Sequence, residues 1–157
     1  MAESASTQQI SLSSLRDTLL KTANGYIDGF KNPGPDLSGV ALRTPSCTQR
    51  VLSKNLGAPP FTNEGYIAWS RRIREIITSF QLQIAENETP VVDEQARVVV
   101  LPLTSTGDTP LGPYANEYYI LLRMTENGEL IRGITEFIDS RVSAEFLQRV
   151  GTLALFG

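Results

Sequence analysis

The chain contains no histidine and a single cysteine, Cys47. The first absence removes the commonest general base, and with it every Ser-His or Cys-His nucleophile system. The second forbids an internal disulfide, and together they exclude multi-cysteine and histidine-rich zinc sites. There is no Gly-rich phosphate loop either, so neither a metal nor a nucleotide cofactor is expected. No apolar run approaches the ~20 residues that cross a bilayer as a helix. A net charge of −3 offers no cationic surplus for nucleic acid or an anionic membrane. Residues Met1 to Gln9 lack a basic segment followed by an apolar run, so no secretory leader is read and a cytoplasmic location is expected. Any acid–base chemistry must use carboxylates, tyrosines, lysines or arginines.

What is present is an ordinary globular composition, 157 residues with 41% hydrophobic and 20% charged. That is one domain with room for a proper core. The polar residues 1–10 are expected to be disordered, leaving a single domain over 11–157.

The most informative stretch runs from Tyr114 to Ser140. Two alternating runs flank Glu126-Asn127-Gly128-Glu129. Asn-Gly between such runs predicts a β-hairpin with a type I′ turn, because both central residues of that turn need φ > 0. Alternation places Tyr114, Asn116, Tyr118, Ile120 and Leu122 on one face, with Glu117, Tyr119, Leu121 and Arg123 opposite. On the return strand Leu130, Arg132, Ile134, Glu136 and Ile138 share a face, and Ile131, Gly133, Thr135, Phe137 and Asp139 take the other. Tyrosines and a carboxylate among aliphatics predict a lined pocket on one side. The outer patch of Tyr119, Leu121 and Phe137 predicts a partner, most economically a second copy of the chain.

Upstream, Leu12, Leu15, Leu19, Ala23, Tyr26 and Phe30 recur at helical spacing, with Ser11 as the cap and Asn32-Pro33-Gly34-Pro35 as the stop. A short strand over 40–43 follows, and Thr44-Pro45 reads as the start of a short helix through Leu52. Thr62 caps a longer helix with Tyr66, Trp69, Ile73, Ile76, Ile77 and Phe80 on its apolar face. Arg71, Arg72 and Arg74 read as its solvated side. Residues 80–84 and 96–103 read as strands, 104–113 as a loop, and 143–156 as a last helix. Helices followed by four antiparallel strands give an α+β class. Helices packed over the concave face of a bent sheet would enclose a cavity for a small ligand.

This order, with Tyr-x-Asn-x-Tyr, the Asn-Gly hairpin and a terminal Glu-Phe-Ile-Asp, resembles the NTF2-like superfamily and its SnoaL-like branch. The resemblance runs from Leu12 onward. It is similar in particular to the small fungal SnoaL-like proteins of natural-product gene clusters, among them terretonin- and austinol-type isomerases and the brevianamide-pathway semipinacolase. The resemblance implies an NTF2-like cone, dimeric and free of metal and organic cofactor, acting on a small-molecule substrate. For the semipinacolase type it implies a pocket with an early arginine, two tyrosines four residues apart and a glutamate on the next strand. Here these match Arg43, Tyr114, Tyr118 and Glu136. The activity implied is a cofactor-independent isomerisation, in its narrowest form a semipinacol-type rearrangement of an oxidised indole alkaloid. An isomerase, hydrolase or cyclase acting on a meroterpenoid lactone is the alternative, and a non-catalytic binding protein a third. The His–Asp pair of aldolase-type cyclases in the wider superfamily has no counterpart in a chain without histidine.

The same residues have readings of their own. Glu136 lies between aliphatics, where desolvation raises a carboxyl's pKa and suits it to proton transfer. The alternative is a structural partner of Arg43 or Arg132. Tyr114 and Tyr118 are donors for an oxygen gaining negative charge, or core tyrosines satisfied by backbone. Arg43 is a permanent cation for an oxyanion, or one half of a salt bridge to Glu136. Phe61, Tyr66, Trp69 and Asn116 are read as substrate-contacting wall. Asp139 reads as a helix cap and Cys47 as a small buried hydrophobe.

Overall fold

The computed structural model describes residues 3–31 and 40–151, with side chains from Leu15 onward. In chain order the elements are α1 (Glu3–Lys31), β1 (Arg43–Leu52), a 3-10 turn (Lys54–Leu56), α2 (Asn63–Ile76), β2 (Thr78–Ile84), β3 (Val91–Asp93), β4 (Val98–Thr109), β5 (Gly112–Met124), β6 (Ile131–Ile138) and α3 (Ser140–Arg149). The bounds of α1 take in residues 3–10, so Ser11 lies within the helix and is not its cap. Among the described residues no helix is long and apolar enough to cross a membrane.

Six strands form one mixed sheet in the order β1-β6-β5-β4-β2, with β3 paired on β4. The architecture is α+β, with β1 and β3 beyond the four antiparallel strands expected after the helices. β1 lies where a helix through Leu52 was expected. It pairs parallel with β6, Gln49 opposite Ile134 and Val51 opposite Glu136. Thr44-Pro45 is a fair helix opening locally, but the edge of the sheet pairs Thr48, Gln49, Arg50 and Val51 in register with β6, and Gln49 also bonds to Phe61 on the other side. The proline is accommodated because the register shifts between Arg43 and Thr48, and a proline at an irregular edge removes no ladder bond. The strand expected over 40–43 is a turn up to Leu42.

The stretch 104–113, expected to be a loop, is the end of one long hairpin. β4 and β5 pair continuously from Val98–Arg123 to Thr109–Gly112. Thr104, Thr106 and Thr109 are β-branched and suit extended backbone, which outweighs the turn-like composition. Gly107 serves a close approach, since a Cβ there would lie 2.5 Å from Cγ2 of Ile77. The bare backbone lets the corner between α2 and β2 press against β4. That corner also ends the helix: Ile77 is its C-cap and Phe80 belongs to β2.

The central hairpin forms between β5 and β6, but its turn is not type I′. Gly128 has φ 78°, whereas Asn127 is absent from the residues with positive φ. The Gly128 amide donates to the Thr125 carbonyl at 2.9 Å, and the Thr125 amide to the Leu130 carbonyl at 2.8 Å. A four-residue loop closes with one left-handed glycine. Thr22 Oγ1 donates to the Gly128 carbonyl at 2.7 Å, which ties this loop to α1.

Tyr114, Asn116, Tyr118, Ile120 and Leu122 are all buried on one face, as alternation requires. On β6 a bulge interrupts the alternation. Arg123 pairs with Gly133 and Met124 with Ile131, leaving Arg132 as the extra residue. The inward set is therefore Ile131, Ile134, Glu136 and Ile138, and Leu130 and Arg132 turn outward. Inward residues from β2, β4, β5 and β6 pack against Leu19, Ala23, Tyr26 and Ile27 of α1. The last helix starts at Ser140, because Asp139 accepts from the amides of Arg141 and Val142 as its N-cap. Leu153, Leu155 and Phe156, assigned to the same helix, lie outside the described residues.

Candidate active site

A cavity of about 480 Å³ opens between the inward sheet face and the three helices. Its wall is mostly apolar, with Phe30 and Trp69 among the aromatic contributors and Tyr114, Tyr118 and Glu136 among the polar ones. Volume and lining fit a polycyclic small molecule held by a few oriented polar groups.

Glu136 reaches this cavity from β6, where it pairs with Ile120. The residue is only 8% exposed. Its Oε2 accepts a hydrogen bond from Gln49 Nε2 at 2.8 Å. Burial pushes the carboxyl above the ordinary glutamate range, opposed by the Gln49 hydrogen bond and by the charge of Arg43. A desolvated carboxyl of this kind takes or gives a proton closer to neutrality than a solvated one.

The tyrosines form a chain of hydroxyls. Ser105 Oγ and Tyr118 Oη are 2.8 Å apart. Tyr118 is raised well above its ordinary pKa, first by burial and then by the Tyr114 and Glu136 charges and by its hydrogen bond to Tyr114. Tyr114 Oη accepts from Asn116 Nδ2 at 2.9 Å. That amide also donates to Ser143 Oγ at 3.0 Å, and Ser143 Oγ donates to the Asp139 carbonyl at 3.0 Å. Tyr114 is raised by burial, with the hydrogen bonds from Asn116 and Tyr118 opposing. A phenol that accepts from its neighbours keeps its own proton for a cavity oxygen or nitrogen. Both phenols stay neutral near pH 7.

Arg43 is buried but is not part of the cavity wall. Its guanidinium carbon lies 4.0 Å from the centre of the Tyr66 ring, and it is Tyr66 that faces the cavity. Nε, Nη1 and Nη2 have no hydrogen-bond partner among the described residues. No ion pair to Glu136 forms, although the charge still lowers that carboxyl's pKa from a distance. Arg132, the other proposed partner, points outward and donates to the Met124 carbonyl at 3.0 Å.

Of the expected wall residues, Trp69 and Tyr66 line the cavity, while Phe61 and Asn116 stand one layer behind. Phe61 stacks obliquely on Trp69 at 5.6 Å between ring centres, and Asn116 orients Tyr114. Cys47 is buried, on a strand instead of a helix. Arg74, read as solvated, is half-buried on the cavity wall, and desolvation lowers its pKa. Sequence reasoning missed Gln49 and Tyr26. Tyr26 carried a signal, an inward position on the amphipathic α1. Gln49 carried none, because its partner depends on the unforeseen parallel pairing of β1 with β6.

No family model matches the sequence. The chain is 36% identical over 130 residues to austinoid biosynthesis clusters protein H of Penicillium brasilianum, covering 82% of this chain and 88% of that protein. It is 32% identical to austinoid biosynthesis clusters protein S of the same fungus, covering 89% and 94%. Among solved structures it superposes on the BvnE pinacolase of Penicillium brevicompactum with a TM-score of 0.83 and 31% identity, over 87% of this chain and 93% of that one. AusH of Aspergillus nidulans gives a TM-score of 0.74 at 33% identity, over 80% and 86%. The chain belongs to the family of small fungal proteins that includes austinoid biosynthesis clusters protein H, AusH and the BvnE pinacolase, and its fold is that of SnoaL-like and NTF2-like proteins.

Proposed function

We propose that the protein is a cofactor-independent isomerase that rearranges a polycyclic small molecule by acid–base catalysis in its cavity. The observation that carries the reading is Glu136, a buried carboxyl on the wall of an apolar cavity, with the neutral donor Tyr114 on the adjoining strand. Similarity to the BvnE pinacolase supports the narrower form, a semipinacol shift on a 3-hydroxyindolenine-type alkaloid. Glu136 takes the proton of the C3 hydroxyl as that carbon becomes a ketone. The C3 substituent migrates with its bonding pair to C2, and the C2=N pair moves onto nitrogen. Tyr114, backed by Tyr118, donates to that nitrogen, and the proton on Glu136 restores the phenol. Arg43 acts through its field, and Tyr66 and Trp69 hold the substrate. Much of the benefit is positioning, because a reactive intermediate left in water has several fates.

A second reading, isomerisation, cyclisation or hydrolysis of a meroterpenoid lactone with the same glutamate as base, is favoured by the austinoid-cluster relatives. We also propose that the working form is a homodimer. The deciding experiment incubates the protein with a 3-hydroxyindolenine and, separately, with a meroterpenoid lactone. Faster formation of one indoxyl isomer than in buffer is the expected result. Turnover of the lactone alone transfers the assignment to the second reading. Binding of either without turnover makes the protein a carrier.

A further inference from the structure

Gln49 is the most deeply buried polar side chain beside the site, 1% exposed, yet it is not on the cavity wall. Its backbone is fixed from both sides. It pairs with Ile134 of β6, and it exchanges two hydrogen bonds with Phe61, at 2.9 and 2.8 Å. Its side chain is committed to one partner, Nε2 donating to Glu136 Oε2 at 2.8 Å. The other end, Oε1, is buried without a partner among the described residues.

A primary amide is amphoteric: its nitrogen donates and its oxygen accepts. A carboxylate requires the donor, whereas a protonated carboxyl also requires an acceptor for its own hydrogen. Turning the terminal amide by half a revolution exchanges one for the other in the same space. A buried group left without its partner costs far more than the turn. We infer that Gln49 is a positioning residue that holds Glu136 in one rotamer and satisfies both of its protonation states by amide reversal. This rests on the reading of Glu136 as the acid–base group, which must accept a proton and return it in each cycle.

The other groups facing Glu136 are Tyr26 on α1, Arg43 on β1, Tyr66 on α2, and Tyr114 and Tyr118 on β5. Burial raises all four tyrosines, so they stay neutral where a glutamate titrates. The Glu136 titration is therefore governed by burial, by Arg43 and by Gln49.

The test needs no substrate. Full-length protein carrying 13Cδ-labelled glutamate is titrated by NMR, with Glu136 assigned through Glu136→Gln. In Gln49→Met, which has similar volume and no amide, the Glu136 midpoint should rise by about one pH unit. Gln49→Asn is too short to make the contact and should behave the same way. In the wild type the Gln49 side-chain NH2 signals should move with the Glu136 midpoint, a measurement that requires no folded variant. An unmoved midpoint in either folded variant, or flat Gln49 signals across the titration, would overturn the inference. Because both readouts are spectroscopic, a protein that turns over neither substrate still decides it. Where turnover is found, the acid limb of kcat/KM should move upward with the midpoint while KM stays within about twofold.

Discussion

The guanidinium of Arg43 sits 4.0 Å from the centre of the Tyr66 ring, and of the two only Tyr66 lines the cavity. In the proposed mechanism the cation acts on the site through that ring and through space. Such stacking relies on the flat guanidinium, so lysine is a poor replacement. Arg43→Met should raise the Glu136 midpoint, since the positive charge holds that carboxyl down. It should leave melting temperature level or higher, because a buried charge without hydrogen-bond partners is removed. A tenfold rise in KM at constant kcat would instead put Arg43 in contact with substrate.

Glu136 links activity and stability in opposite directions. Its folded pKa is raised above the unfolded value by burial. The folded state then binds its proton more tightly, so the contribution to stability is present at low pH and lost as pH rises through the folded pKa. Glu136→Gln mimics the protonated form at every pH. Its melting temperature should exceed the wild type's at about pH 8 and converge with it near pH 4. Activity should fall about 10²- to 10⁴-fold, the usual contribution of a general acid–base group. A variant that melts early at every pH would make the glutamate structural, and one with full rate would remove it from the mechanism.

The inward face of β5 was legible because nothing interrupts it: Tyr114, Asn116, Tyr118 and Ile120 keep strict period-two spacing along an unbroken ladder with β4, joined from Tyr118 onward by β6. β6 was legible only beyond its bulge. Glu136 and Ile138 fell where alternation put them, while the single extra residue at Arg132 reversed the positions before it. β1 was illegible because local and non-local signals disagree. Thr44-Pro45 favours a helix opening, and the parallel pairing with β6 involves residues more than eighty positions away. With β1 misassigned, Gln49 and the place of Arg43 behind Tyr66 could not be derived. Alternation placed Tyr114, Tyr118 and Glu136 on the face that lines the cavity, whereas Tyr26 was passed over despite its helical signal and Gln49, set by the sheet edge, offered none.

Tyr114 and Tyr118 differ in their place in the hydroxyl chain. In the proposed mechanism Tyr114 is the terminal donor, its hydroxyl accepting from Asn116 and its own proton left for the substrate. Tyr118 stands behind it, bonded to Ser105. Tyr114→Phe should lower kcat about 10²- to 10³-fold, in the range for a lost oxyanion-type donor, and Tyr118→Phe about ten- to a hundredfold. The ranking is checked by single-turnover rates on the productive substrate. A reversed ranking would make Tyr118 the donor in contact.

The outer sheet face makes the last prediction. Tyr119 and Phe137 pair directly across the β5–β6 ladder, and they are 56% and 53% exposed. Leu121 lies next to them, half-buried. Two large rings side by side on the two central strands form an apolar surface that a two-fold axis can cover with its own copy. If that face is the dimer interface, the wild type should sediment as a dimer at micromolar concentration. Its melting temperature should rise with protein concentration, because association stabilises only the folded chain. Phe137→Asp or Leu121→Asp places a charge in the interface without touching the cavity wall. Each should give a folded monomer whose melting temperature no longer depends on concentration. A wild type that is monomeric across that range, or an aspartate variant that elutes unchanged, would show that the rings serve no such contact.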